Sequence, residues 1–197
     1  MFKIGAHKWI QQFCGDSSQP QLAVDEILSF SARRSCTIAD GNEMDQLIED
    51  ENSFLSAQLN QLFSTNNLKR IETQIKITNK TGTRFSDVAP VLDILCVDQK
   101  GKRVPIEIKT GRVRRVRKKN KNDYGAKGKL HTFADTIALR HHAQLAVQIE
   151  CLRNSKWNGA GVGYLVYIDP VKVRREEMLR LKLTKVNKDV LSSIHKQ

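Results

Sequence analysis

Two carboxylates and a lysine in the middle of the chain, Asp93, Glu107 and Lys109, have the residue types and spacing for hydrolytic chemistry. Facing carboxylates repel each other unless a cation lies between them, and Mg²⁺ or Mn²⁺ is typically held by one or two carboxylates, water and a substrate phosphate. Lys109 can orient or help to deprotonate the attacking water and offset charge in the transition state. These residues predict metal-dependent phosphodiester hydrolysis; the alternative is a polar hairpin face that carries them by chance.

A predicted β-hairpin positions these side chains. Apolar runs over 91–97 and 104–108 flank the turn signal Asp98–Gly101. If the turn centres on Lys100, Asp93 lies opposite Glu107, with Cβ atoms roughly 5 Å apart. Strand alternation then places Glu107 and Lys109 on one face of the hairpin.

A helix and a strand precede the hairpin. Apolar residues recur at helical spacing from Asp40 to Asn67, which predicts one helix over that range. Asp45 and Glu49 are four residues apart, so they share one helix face. The alternative interpretation is an acidic solvent face near a helix N-terminus, where acids are favoured. The alternating segment Leu68–Thr78 predicts a strand, which gives the order helix, strand, hairpin.

This order, with an Asp and then Glu-x-Lys on the hairpin, resembles the catalytic core of the PD-(D/E)xK nuclease superfamily. The segment Gly41–Glu49 resembles the first motif of the RecB-type branch, with Asp45 where histidine is usual. The resemblance implies a restriction-endonuclease-like α/β core over residues 40–168, in which helices flank a central mixed β-sheet. It implies a Mg²⁺ or Mn²⁺ ion whose ligands are Asp93, Glu107, the backbone carbonyl of Ile108 and one helix acid, either Asp45 or Glu49.

A later predicted helix carries a second resemblance. The segment Arg140–Val147 is similar to the glutamine motif of the RecB, Dna2 and Cas4 nucleases, which implies that Gln144 lines the active site and bonds the scissile phosphate or a base edge. That motif usually has tyrosine four residues later, where this chain has Gln148. His142 is a further candidate for substrate contact. Because a single cysteine follows Gln144, we expect no iron–sulfur cluster.

A basic loop is predicted over residues 112–129, with nine Lys and Arg residues against Asp123. Few apolar residues are available to fold it, so we expect a mobile loop that orders on a phosphate backbone. Its first half also fits a nuclear import signal, and the alternative to both roles is a solvated charge run. The predicted nucleic-acid contacts in this loop are Arg112, Arg114, Arg115, Arg117, Lys118, Lys119 and Lys121.

The whole sequence of 197 residues is consistent with one nuclease domain that has a helical extension over 1–39 and a basic helix over 171–197. The net charge of +12 indicates a polyanionic partner. The sequence has no long apolar run and no apolar signal region near Met1, so we expect neither a membrane nor a signal peptide. Four widely spaced cysteines predict free thiols in a reducing compartment, the nucleus or the cytoplasm.

The function these features predict is that of a DNA nuclease. Single strands or DNA ends would be its substrate, and it would act as an exonuclease or structure-specific nuclease in replication, recombination or repair, alone or with a helicase or another partner. No phosphate-binding glycine loop is present, so a helicase motor is not expected in this chain. Two alternatives are a non-catalytic nucleic-acid-binding module on the same fold and a cap-snatching RNA endonuclease of the viral type.

Overall fold

The structure, a computed structural model, describes residues 38–78, 88–111, 115–126 and 130–195. The predicted N-terminal extension lies, as far as residue 37, outside the described residues. Within the described ranges no helix is both long and apolar enough to span a membrane. The helices are α1 (Ile38–Glu49), α2 (Phe54–Thr65), α3 (Ile137–Arg153), α4 (Pro170–Arg174) and α5 (Lys188–His195). The strands are β1 (Leu68–Lys76), β2 (Val91–Asp98), β3 (Arg103–Thr110), β4 (Tyr164–Ile168) and β5 (Thr184–Lys185).

One mixed sheet organises the described chain. Its five strands lie in the order β1-β2-β3-β4-β5, and β3 and β4 are parallel while the other neighbours are antiparallel. One face of the sheet packs against α3 and α5, and the other packs against α1 and α2. The parallel pair follows from the chain path, because α3 crosses from the end of β3 to the start of β4. The predicted α/β class, with helices on both faces of a mixed sheet, is confirmed.

The central hairpin has the predicted register. Ile94 pairs with Ile106 and Val97 with Arg103, which is the pairing expected for a turn centred on Lys100. The Asp98 carboxylate accepts hydrogen bonds from the backbone amides of residues 100 and 102, at 2.9 and 2.8 Å. The glycine that ends the turn has a φ of 75°, a value that glycine adopts without steric cost. Local residues therefore determine this register.

The prediction of one continuous helix from Asp40 to Asn67 is wrong. The chain leaves the helix after Glu49 and begins α2 at Phe54, with Ser53 as the N-cap. The Ser53 hydroxyl oxygen accepts a hydrogen bond of 3.0 Å from the Ser56 amide, which satisfies one of the free donors of the new helix. The break turns the two helices so that both pack their apolar residues into one core cluster.

The prediction of one basic helix over 171–197 is also wrong. Asp169 caps α4, which ends at Arg174, and Glu176 has a φ of 49° that is incompatible with helix. The following segment leads into β5, which pairs with β4, before α5 begins. Met178, in this segment, is 78% exposed. The C-terminal part therefore adds an edge strand and a short helix to the sheet.

An ion-pair cluster joins α1 to α4. The Arg174 guanidinium donates hydrogen bonds to Glu43, with an Nε–Oε2 distance of 3.0 Å, and to Asp40. Both acids lie in the first half of α1, on the helix that also carries Asp45. Arg174 therefore fixes the N-terminal half of α1 against a segment near the C-terminus.

Candidate active site

Asp93 bridges β2 and β3 at the point where their described pairing ends. The ladder runs as far as Ile94 and Ile106, and one residue further the Asp93 Oδ2 atom accepts a hydrogen bond of 2.7 Å from the Ile108 amide. Along its other edge β3 pairs with β4, including Glu107 with Leu165. The Asp93 carboxylate therefore replaces a backbone acceptor and is held beside β3, next to Glu107.

Glu107 is the most enclosed acid of the site, with 2% of its surface exposed. Its Oε1 atom accepts hydrogen bonds from Lys109 Nζ, at 2.6 Å, and from the Gln144 amide group. Its Oε2 atom accepts a hydrogen bond of 2.6 Å from Gln148 Nε2. Lys109 Nζ also donates to Gln144 Oε1 at 3.1 Å. The structure thus brings together Glu107, Lys109 and Gln144 as the sequence predicts.

The electrostatics of the site are those of crowded acids with one cation. Burial and the charge of Glu107 raise the pKa of Asp93 well above its usual range, against the opposing effects of Lys109 and the Ile108 amide. Burial would lower the pKa of Lys109, but the neighbouring carboxylates of Glu107 and Asp93 outweigh it and raise this pKa. Lys109 therefore stays protonated, which fits charge stabilisation and water orientation better than proton removal.

Asp45 is an α1 acid in the electrostatic range of this cluster. Burial, followed by the negative charge of Glu107, raises the pKa of Asp45, while Lys109 acts in the opposite direction. Asp45 is half-buried, whereas Glu49, one turn later, is exposed. The sequence left these two acids as equal candidates, and the geometry favours Asp45 because α1 turns it toward β3.

The donor set fits a hydrated divalent cation. Among the residues that the structure describes, no three His, Cys, Asp or Glu side chains are arranged so that together they could hold an ion. Magnesium needs only one or two carboxylates, because it keeps several waters and binds substrate phosphates. Three protein donors use three of about four lone-pair positions on Glu107, so a position is left for a metal ion. Asp93, with its raised pKa, is the second carboxylate that a cation would stabilise.

The residues predicted to contact nucleic acid differ in their exposure to solvent. Arg112 and Arg114 lie outside the described residues. His142 is buried, and its Nδ1 atom accepts a hydrogen bond of 3.1 Å from the Asn187 amide; burial lowers its pKa to about 4. His142 therefore lies in the core as a neutral acceptor and not on a substrate-facing surface. The predicted contacts that the structure describes as exposed are Arg115, Arg117, Lys118, Lys119 and Lys121.

Gln148 holds Glu107 by a contact that the sequence did not indicate, and Gln74 lies opposite Asp93 on the neighbouring strand. Gln148 is 1% exposed; besides Glu107, its amide donates to the Val91 carbonyl at 3.2 Å, and its Oε1 atom is buried without a partner. Gln74 lies level with Asp93 in the β1–β2 register, has a φ of 50° and has a buried Nε2 atom without a partner. The sequence marks Gln148 only as the residue that replaces the usual tyrosine of the glutamine motif, and no pattern marks Gln74.

We expect Gln148→Leu to destabilise the protein by about 1–3 kcal/mol, because it leaves Glu107 Oε2 and the Val91 carbonyl without a donor inside the protein. Urea unfolding in metal-free buffer measures this change as a lower midpoint at an unchanged slope. Gln46→Leu, at an exposed position of α1, is the matched control. Equal midpoints for the two variants would show that Gln148 does not hold Glu107.

Comparisons with known proteins do not identify a family for this chain. No protein-family model matches the chain, and no curated protein sequence matches it. A solved structure, that of a protein named SSO0001, is similar to this chain with a TM-score of 0.46 and 17% sequence identity, over 99% of this chain and 76% of the other. A likeness at this level carries no argument about function. The function of this protein is therefore inferred from the geometry of its site.

Proposed function

We propose that this protein is a Mg²⁺- or Mn²⁺-dependent nuclease with a restriction-endonuclease-like core, and that it hydrolyses phosphodiester bonds in DNA. The observation that carries the proposal is the convergence of Asp45, Asp93 and Glu107 around Lys109, with raised pKa values for both aspartates. When all four groups are ionised, three carboxylates face one ammonium, which leaves two negative charges uncompensated. A divalent cation is the ligand that removes this excess.

The charge of the rest of the chain supports a nucleic-acid substrate. A net charge of +12 attracts a phosphate backbone, yet the site itself is acidic and would repel a phosphate. A cation between the carboxylates reconciles the two, because it binds both the acids and the phosphate oxygens. A positive net charge of the protein together with a negatively charged site is expected for metal-assisted cleavage. A module that only binds DNA does not need the negative site.

Each residue has a defined task in this proposal. Asp93 and Glu107 bind the cation, and Asp45 adds negative charge from α1. A divalent cation held there supplies an activated water and offsets charge on the phosphate. Lys109 stays protonated and stabilises the negative charge that develops in the transition state. Gln144 holds both Glu107 and Lys109 by hydrogen bonds, so it fixes their relative position.

Cleavage of labelled substrates tests the proposal. Single-stranded DNA, linear duplex DNA, a covalently closed circle and RNA are each incubated with the protein in Mg²⁺, Mn²⁺ or EDTA. We expect metal-dependent cleavage of DNA; sparing of the circle would identify an exonuclease, and faster cleavage of RNA would favour an RNA endonuclease. Salt-sensitive DNA binding without cleavage of any substrate would reject the enzyme and leave a binding module.

Lys109→Gln should lower the cleavage rate by about 10²- to 10³-fold, the usual cost of removing one group that stabilises transition-state charge. Binding of substrate should change little, because the lysine acts mainly on the reacting phosphate. Single-turnover rates measure the effect, and Lys76→Gln, at an exposed position of β1, is the matched control. A rate that is equal in both variants would remove Lys109 from the mechanism.

A further inference from the structure

The described part of the basic loop, residues 115–126, has a fixed backbone and was expected to be mobile. It runs alongside residues 130–135, with isolated bridges between Lys118 and Phe133 and between Gly125 and Ala134. The Lys119 amide donates to the Thr132 carbonyl at 2.9 Å. Phe133 and Ala134 are buried in the core, so this segment is attached to the body of the protein. Residues 115–126 and the paired residues 130–135 therefore form a fixed surface segment, called the platform from here on.

An exposed aromatic ring stands on this platform. Tyr124 is 67% exposed, while its carbonyl accepts a hydrogen bond of 2.9 Å from the Asp135 amide. The Asp123 carboxylate beside it accepts hydrogen bonds from Arg117 and from the Asn120 amide, which closes the turn before the ring. The ring is therefore accessible to a ligand, and exposed lysines and arginines lie on the same segment.

A lysine side chain lies over the residue that follows this tyrosine. The glycine that follows Tyr124 has no side chain, and Lys119 crosses the space: a Cβ atom at Gly125 would come within 2.9 Å of Lys119 Nζ. The ammonium is thus held beside the residue that carries the phenol ring. An aromatic face for a base and a cation for its phosphate are the two components of a site for single-stranded nucleic acid.

The position of the platform connects it to the candidate active site. The basic loop starts after β3, which carries Glu107 and Lys109, and the paired segment leads directly into α3, which carries Gln144. Thr136 caps α3, immediately after the residue that bonds the Tyr124 carbonyl. Both ends of the platform are therefore connected along the chain to elements that build the site.

We propose that Tyr124 and Lys119 form a subsite for an unpaired nucleotide, in which the base stacks on the phenol ring and the phosphate lies at the ammonium. The inference rests on the proposed function for its substrate and deepens it: the substrate class is nucleic acid with a single-stranded region or end. In a duplex the bases are stacked on one another and cannot reach the ring. Single strands therefore bind more tightly than duplexes, through Tyr124.

The test measures binding of the full-length protein in EDTA, so that cleavage plays no part. Fluorescence anisotropy follows a labelled oligothymidylate, an oligouridylate and a duplex of the same length, for the wild type, Tyr124→Ala, Tyr124→Phe and Lys119→Ala. We expect Tyr124→Ala to weaken single-strand binding by about 5- to 150-fold and duplex binding by less than about 2-fold. Tyr124→Phe keeps the ring and therefore the affinity, while Lys119→Ala weakens both substrates and lowers the salt dependence.

A 2-aminopurine base in the single strand reports stacking directly. Its fluorescence should be quenched by the wild type and Tyr124→Phe and remain high with Tyr124→Ala. Equal losses on single strand and duplex, no loss on either, or a Tyr124→Phe variant that behaves like Tyr124→Ala would each overturn the subsite. Tyr124-dependent binding without cleavage in Mn²⁺ would keep the subsite and reject the nuclease, whereas cleavage with Tyr124-independent binding would do the reverse.

Discussion

Glu107→Gln should abolish metal-dependent cleavage, with a rate that is lower by roughly 10³-fold or more. The change removes one of two carboxylates that would hold the cation, and metal-derived charge stabilisation contributes several kcal/mol to such reactions. It also places an amide NH₂ group where Glu107 now accepts hydrogen bonds from Lys109, Gln144 and Gln148. The variant should therefore lose both the metal site and its fixed geometry.

Single-turnover cleavage in Mn²⁺ is the measurement, because Mn²⁺ tolerates a weakened site better than Mg²⁺. Glu72→Gln is the matched control, a strand glutamate that is exposed on β1. Circular dichroism and thermal unfolding of both variants separate a lost site from a lost fold. A folded Glu107→Gln variant with wild-type activity would exclude the proposed catalytic centre.

Asp93→Asn should have opposite effects on stability and on metal binding. Because the pKa of Asp93 is raised above its ordinary value of 3.8, the folded chain binds this proton more tightly than the unfolded chain. The stability of the metal-free protein therefore falls as the pH rises from that value through the raised pKa. Asparagine carries no charge and still offers an oxygen to the Ile108 amide, so the variant should be more stable than the wild type at neutral pH in EDTA.

Thermal unfolding in EDTA and in Mn²⁺, from acid to neutral pH, measures both effects. Each kcal/mol gained corresponds to about 2–4 °C for a chain of this size. We expect Asp93→Asn to unfold at a higher temperature in EDTA and to lose the stabilisation by Mn²⁺ that the wild type shows. Asp98→Asn, at the other end of β2, should keep the Mn²⁺ response. A variant that is less stable in EDTA at neutral pH would contradict the electrostatic account.

The hairpin was predictable because its information is local. Asp98 and Gly101 determine the turn, the turn determines the register, and the register brings Asp93 to Glu107. The contact of Gln148 with Glu107 could not be predicted from the sequence in this way. Gln148 reaches Glu107 and Val91 only because of the angle at which α3 packs on the sheet, and no spacing in the sequence encodes that angle.

The two wrong helix predictions can be explained from the residue patterns of the two segments. Ser53, within a polar stretch, is a standard helix N-cap, but the apolar spacing continues across it and suggests one helix. Near the C-terminus, Leu179, Leu181 and Leu183 alternate with polar residues. A period of two fits the non-helical segment that leads into β5, whereas the helical interpretation took these leucines as one inward face with Lys and Arg outward.

The attachment of α1 to Arg174 has a consequence for the order in which this protein matures. Arg174 follows Asp40 by 134 residues, so the contact closes nearly the longest loop in the described chain. During synthesis, the central hairpin with its Asp and Glu can form long before Arg174 has left the ribosome, whereas α1 is not clamped until then. A nascent chain would therefore have two acids in place and lack the fixed position of Asp45. Under the proposed function, the full set of charges around Lys109 would be in place only when almost all of the chain has been synthesised.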